Sequence, residues 1–167
     1  MTSIKSLTLC AVLFPLFGAV IAGLFGKFIG RRCAHCITIL GVALASLISL
    51  MLFKWLVFDN APAFNGNLYT WGISGSFQFN MGFLVDRFTA LMMVVVTFVS
   101  LMVHIYSIGY MEDDSGYQRF FSYMSLFTFA MLMLVVANNF LQLYFGWEGV
   151  GLVSYLLIGF WFKKEAA

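Results

Sequence analysis

Glu148 is the residue whose chemistry most needs a reason. It is the single charge in the 43 positions from Phe120 to Phe162, three residues from the midpoint of the last apolar stretch, roughly 4–5 Å along a helix axis. An ionisable group at such depth in a bilayer costs about 2.5–3.5 kcal/mol on insertion scales, so something must offset the cost. Burial favours the neutral acid, a neighbouring cation favours the carboxylate, and a group balanced between the two can take up and release a proton. The alternative is a permanently protonated Glu148 that joins helices by one hydrogen bond, a contact of about 0.6–2 kcal/mol and smaller than the cost of burial. Gly146, Gly149 and Gly151 beside it suit close helix approach rather than phosphate binding, since no nucleotide reaches hydrocarbon depth.

His104 is the second candidate, late in an earlier apolar run, where an imidazole can relay protons or can hydrogen-bond at the membrane surface. Cys33-Ala34-His35-Cys36 has the look of a metal or redox motif, but haem attachment needs the histidine after the second cysteine and zinc needs a fourth ligand. The segment reads as small residues at a helix start. Glu112-Asp113-Asp114 reads as a solvated turn rather than a cation site. There is no nucleophile with its base, no metal-ligand set and no nucleotide-binding glycine pattern.

The elements that hold these residues follow from composition. Of 167 residues, 62% are hydrophobic and 10% charged, against about 45–50% and 25% in soluble domains. With a mean hydropathy of +0.96, lipid must be the solvent. The formal charge of +2 gives no case for nucleic acid. Residues 6–26 hold 21 uncharged positions, too many for a signal peptide's apolar region of about 7–15 and enough for a span of about 20. Residues 33–53 and 88–111 hold 21 and 24 more. The last run would reach roughly 65 Å as one helix, about twice the hydrocarbon core, so it divides, with Asn138-Asn139 as the turn. The expectation is an all-α polytopic membrane protein, a single membrane domain over 1–167, with five transmembrane helices near 6–26, 34–55, 85–108, 118–137 and 140–162.

Residues 59–83 differ in character. Asp59, Asn60, Pro62, Asn65, Gly66 and Asn67 open a loop. Phe77, Phe79, Met81 and Phe83 then alternate with polar or small residues, the period of a half-buried strand. Leu68 to Trp71 is its partner across Gly72 to Gly75, giving a short β-hairpin near 68–83, and Asp86 stands where a helix N-cap is useful. With five spans, six basic residues (Lys27, Arg31, Arg32, Arg119, Lys163, Lys164) share one side and three (Lys5, Lys54, Arg87) the other. The positive-inside rule then predicts a periplasmic N-terminus and hairpin and a cytoplasmic C-terminus. Trp55, Trp71 and Trp161 read as belt residues at the membrane surfaces. Gly26 and Gly30 form a small-xxx-small spacing at a helix end.

The runs His104 to Met111, Tyr117-Gln118-Arg119-Phe120-Phe121 and Gly146 to Phe162 (GWEGVGLVSYLLIGFWF), with Phe83-Leu84-Val85-Asp86, resemble the proton-pumping, antiporter-like membrane subunits of bacterial NADH-quinone oxidoreductase (respiratory complex I), of the subunit L type. Cation/proton antiporter subunits of the Mrp type share the ancestry and are the second choice. A passive assembly element of a membrane complex is the third. The resemblance implies coupling of NADH oxidation and quinone reduction to proton transport in a bacterial inner membrane. It makes Glu148 the glutamate of the proton channel, working with a lysine on a later helix. It also implies partnership with the other complex I membrane subunits, with NAD, FMN, iron–sulfur clusters and quinone in other subunits and no cofactor in this chain. Family members run to several times this length with two inverted repeats of five helices. This chain therefore reads as an N-terminal part, three helices followed by two that open the first repeat.

Overall fold

A computed structural model describes residues 2–75 and 77–162. Four of its helices are long and apolar enough to cross a membrane. Their order is α1 (Thr2–Val57), strands β1 (Phe64–Ser74) and β2 (Phe77–Val85), then α2 (Arg87–Tyr110), α3 (Tyr117–Val135) and α4 (Phe140–Ile158), closed by a 3-10 turn over Gly159–Trp161.

A straight helix the length of α1 would reach about 80 Å, far more than a bilayer core of about 30 Å. It does not run straight. Gly30 has φ 76° and ψ 174°, a conformation open essentially to glycine alone, and the chain reverses there. A Cβ on Gly18 would lie 3.2 Å from the Thr38 Cα, and one on Gly41 2.8 Å from the Phe14 carbonyl oxygen. The arms 2–29 and 31–57 are therefore antiparallel and in close contact. The loop expected between residues 26 and 34 is corrected to a one-residue break, because glycine turns the backbone without any intervening coil.

The first arm also lies against α3. Ser122 Oγ donates to the Ala19 carbonyl at 2.7 Å and Ser125 Oγ to the Pro15 carbonyl at 2.7 Å. Small residues make this possible, since Cβ atoms on Gly23 and Gly26 would stand 2.7 Å from Ser122 Oγ and 2.9 Å from Gln118 Cβ. Gly30, the other half of the predicted small-residue spacing, meets nothing; its role is the reversal.

The hairpin is present and longer than expected. Strands β1 and β2 pair antiparallel from Phe64↔Val85 to Ser74↔Phe77, with irregularities between Asn67 and Tyr69 and between Thr70 and Gly72. Its turn falls at Gly75, with φ 60°, so residues 72–74 extend β1 instead of forming the turn. Asp86 caps α2, its Oδ1 accepting from the Thr89 amide at 2.7 Å. Asn139 caps α4 in the same way, accepting from the Gln142 amide at 2.9 Å. The last helix ends four residues before the expected boundary of 162, passing at Gly159 into the 3-10 turn.

Two ends are distinct. At one, Arg31 Nη1 donates to the Glu112 carbonyl at 2.6 Å and Trp161 Nε1 to Asp114 Oδ2 at 2.8 Å, so the Gly30 reversal, the α2–α3 loop and the end of α4 lie together. At the other, the Leu84 amide donates to the Val136 carbonyl at 3.0 Å and Lys5 Nζ to the Asn67 carbonyl at 3.5 Å, joining the hairpin to the α3–α4 turn and the start of α1. Lys27, Arg31, Arg32 and Arg119 belong to the first end, and Lys5, Lys54 and Arg87 to the second. Lys163 and Lys164 lie outside the described residues.

Candidate functional site

His104 is fully buried within α2. Its Nδ1 lies 2.8 Å from the Ser100 carbonyl oxygen one turn earlier. A carbonyl only accepts, so Nδ1 carries the hydrogen and, in the neutral ring, Nε2 carries a bare lone pair. No group among the described residues hydrogen-bonds Nε2. Around it the donors are already used. Thr128 Oγ1 donates to the Met124 carbonyl at 3.0 Å, which leaves the Ser100 hydroxyl to donate to Thr128 Oγ1 at 2.5 Å. The cluster thus ties α2 to α3 and leaves one buried atom able to accept a proton.

Glu148 stands near the middle of α4, on its exposed side, with exposed Tyr144 one turn back on the same helix. Exposed Trp147, Leu152, Tyr155 and Ile158 share the helix with it. The other side of α4 packs on α3: a Cβ on Gly146 would stand 2.8 Å from the Leu134 Cα, and one on Gly149 3.4 Å from the Ala130 Cβ, while Gly151 faces open space. The glycines around Glu148 are thus divided, two serving the α3 contact and one not. Glu148 and His104 are not brought together, and no ion pair or hydrogen bond joins them among the described residues.

A pair absent from the sequence candidates appears at the Gly30 end. Tyr117 Oη and His35 Nδ1 are 2.9 Å apart. The ring of Phe121, fully buried, lies 6.0 Å from the His35 ring and 6.0 Å from the His104 ring. His35 was visible in the sequence only as the middle of the Cys33–Cys36 motif; its two cysteines are exposed and free, and its ring turns to Tyr117. Ser100 had a readable signal, the spacing of four to His104. Thr128 and Tyr117 had none, since they come from another helix.

The acidic turn is tied down within the fold: Asp114 Oδ1 accepts from the Gly116 amide at 2.8 Å, its Oδ2 from Trp161, and the Glu112 carbonyl from Arg31. Of the three belt tryptophans, Trp71 is exposed on the hairpin and Trp55 and Trp161 are half-buried.

Residues 71–121 match a family described as NADH-ubiquinone oxidoreductase (complex I), chain 5 N-terminus, and residues 137–167 one described as NADH:quinone oxidoreductase/Mrp antiporter, transmembrane. The chain is 60% identical over 163 residues to NADH-quinone oxidoreductase subunit L of Neisseria meningitidis serogroup B, covering 97% of this chain and 24% of that protein. It is 47% identical over 163 residues to the subunit L of Rickettsia felis, covering 98% and 25%. It is also 44% identical over 159 residues to NADH-ubiquinone oxidoreductase chain 5 of Podospora anserina, covering 95% and 24%. The chain spans about a quarter of the length of these relatives.

Proposed function

We propose that the chain is the N-terminal part of a subunit of the NADH-quinone oxidoreductase subunit L family, to whose members it is similar along nearly its whole length, and that it forms part of a proton-translocating membrane subunit. That subunit couples NADH oxidation and quinone reduction to proton transport. The observation that carries this reading is the placement of Glu148. It stands mid-helix with its carboxylate on the side of α4 that the described helices leave open, while Gly146 and Gly149 hold the opposite side on α3. A carboxylate there answers to a cationic partner outside the described bundle and alternates between acid and carboxylate as that charge approaches or withdraws. His104, with its bare Nε2, is the second proton-carrying group, inside the bundle.

In this reading each arm of α1 crosses the bilayer, giving five spans with α2, α3 and α4. The Gly30 end, richer in Lys and Arg, is cytoplasmic, and the hairpin and N-terminus are periplasmic in a bacterial inner membrane. The first three spans precede the antiporter-like repeat and α3 and α4 open it. The other membrane subunits of the complex are its partners. NAD, FMN, iron–sulfur clusters and quinone are held by other subunits.

The test is Glu148→Gln in the full oxidoreductase, with proton translocation measured in membranes at matched assembly and quinone reduction followed alongside. Glutamine keeps size and hydrogen bonding but cannot ionise, so pumping falls and Glu148→Asp retains part of it. Wild-type pumping in the glutamine variant rejects the carrier role.

A further inference from the structure

Resting on the proton-translocating reading above, we propose that the Tyr117–His35 pair is a proton relay between the surface at the Gly30 end and buried His104, with the Phe121 ring as the gate between them. Tyr117 and His35 come from α3 and α1 and share one short hydrogen bond of 2.9 Å. The groups facing them are those of a water-exposed rim: Arg31, whose guanidinium carbon lies 5.8 Å above the Tyr117 ring, Glu112 and Cys36. Inward from the pair stands Phe121, 4.8 Å from the Tyr117 ring between centroids and 6.0 Å from each imidazole. Beyond it are His104, Ser100 and Thr128, where the one acceptor left unsatisfied is His104 Nε2.

Each half of this arrangement has a physical reason. An imidazole and a phenol sharing a hydrogen bond can exchange the bridging proton and take another from water at the rim. A buried lone pair without a donor is costly, about 1–3 kcal/mol, and accepting a proton on Nε2 forms an imidazolium that carries a hydrogen on each nitrogen, its Nδ1–H still donating to the Ser100 carbonyl. The transfer is a proton hop only: an O–H or N–H bond of the relay breaks, its electron pair stays on the atom that loses the proton, and an N–H bond forms at Nε2. Phe121 has no polar atom, so with the ring in place the hop is blocked. Rotation of the ring lets water span the gap.

The experiment uses membranes holding the full oxidoreductase without NADH, in which an imposed pH gradient decays passively. Phe121→Ala opens the gate, and the gradient decays several-fold faster than in the parent. Phe121→Leu, bulky and apolar, restores the slow decay. Adding Tyr117→Phe to Phe121→Ala removes only the hydroxyl and slows the decay again, which a leak through damaged packing does not do. The inference is overturned if Phe121→Ala decays at the parent rate, or if its leak is the same with and without the Tyr117 hydroxyl. This readout needs no turnover, so its failure is separable from that of the Glu148 reading, which is judged on pumping.

Discussion

Ser125 Oγ sits 2.7 Å from the Pro15 carbonyl oxygen, a hydrogen bond that crosses from α3 to the first arm of α1 at a distance of 110 residues in sequence. Ser122 repeats it on Ala19 one turn away. These hydrogen bonds require close backbones, and the closeness comes from Gly18, Gly23 and Gly26. In lipid, where apolar contact between helices gains little over apolar contact with acyl chains, such close approach and such hydrogen bonds supply the association.

The groove therefore sets the first prediction. Gly23→Leu forces α1 away from α3 and lowers the thermal stability of the detergent-extracted complex by several degrees, whereas Ser122→Ala, losing one interhelical hydrogen bond of about 0.6 kcal/mol, changes it little. Equal effects of the two substitutions would show that backbone proximity does not hold this contact.

Gln142 anchors the hairpin to α4. Its Oε1 accepts from the Gly82 amide at 3.0 Å inside the protein, and a Cβ at Gly82 would overlap the Asn138 side chain. Gln142→Leu leaves that amide without a partner, a cost of about 1–3 kcal/mol. Hydrogen exchange in β2 should accelerate around Gly82 while α2 and the middle of α3 keep their protection. Unchanged exchange at Gly82 would mean that the amide finds another acceptor.

His104→Asn keeps a polar side chain in the cluster but removes the bare imidazole nitrogen. Proton translocation per quinone reduced is expected to fall at matched assembly, with His104→Leu losing as much or more. Normal translocation in His104→Asn would leave the residue a purely structural link between α2 and α3.

Orientation is open to cysteine labelling. Cys10, Cys33 and Cys36 are exposed, so the work starts from a background in which all three are serine. In right-side-out vesicles a membrane-impermeant thiol reagent should modify Ala63→Cys, beside the hairpin, and leave Ser115→Cys, in the α2–α3 loop, unmodified. The opposite pattern reverses the topology proposed above.

Features fixed by neighbours in the chain were legible in the sequence. Asp86 caps its helix because the capped amide lies three residues on, Asn138-Asn139 separates α3 from α4 as a turn signal within the chain, and the alternation from Phe77 to Phe83 is a property of β2 itself. That Asn139 also caps α4 is a finding of the structure. The lengths of the apolar runs measured against a bilayer located the helices to within a few residues, apart from the start of α1, the 3-10 turn at 159–161 and the segment around Gly30. Which way each helix faces was not legible. A soluble helix announces its buried side by an apolar stripe opposite a polar one, but a helix in lipid is apolar all round, and its inner side is marked only by small residues and an occasional hydroxyl. The rotation that turns Glu148 outward, sets Thr128 against Ser100 and brings Tyr117 to His35 is settled by how closely backbones approach at Gly18, Gly23, Gly41 and Gly146. That approach is a relation between helices far apart in the chain, and only the tertiary structure decides it.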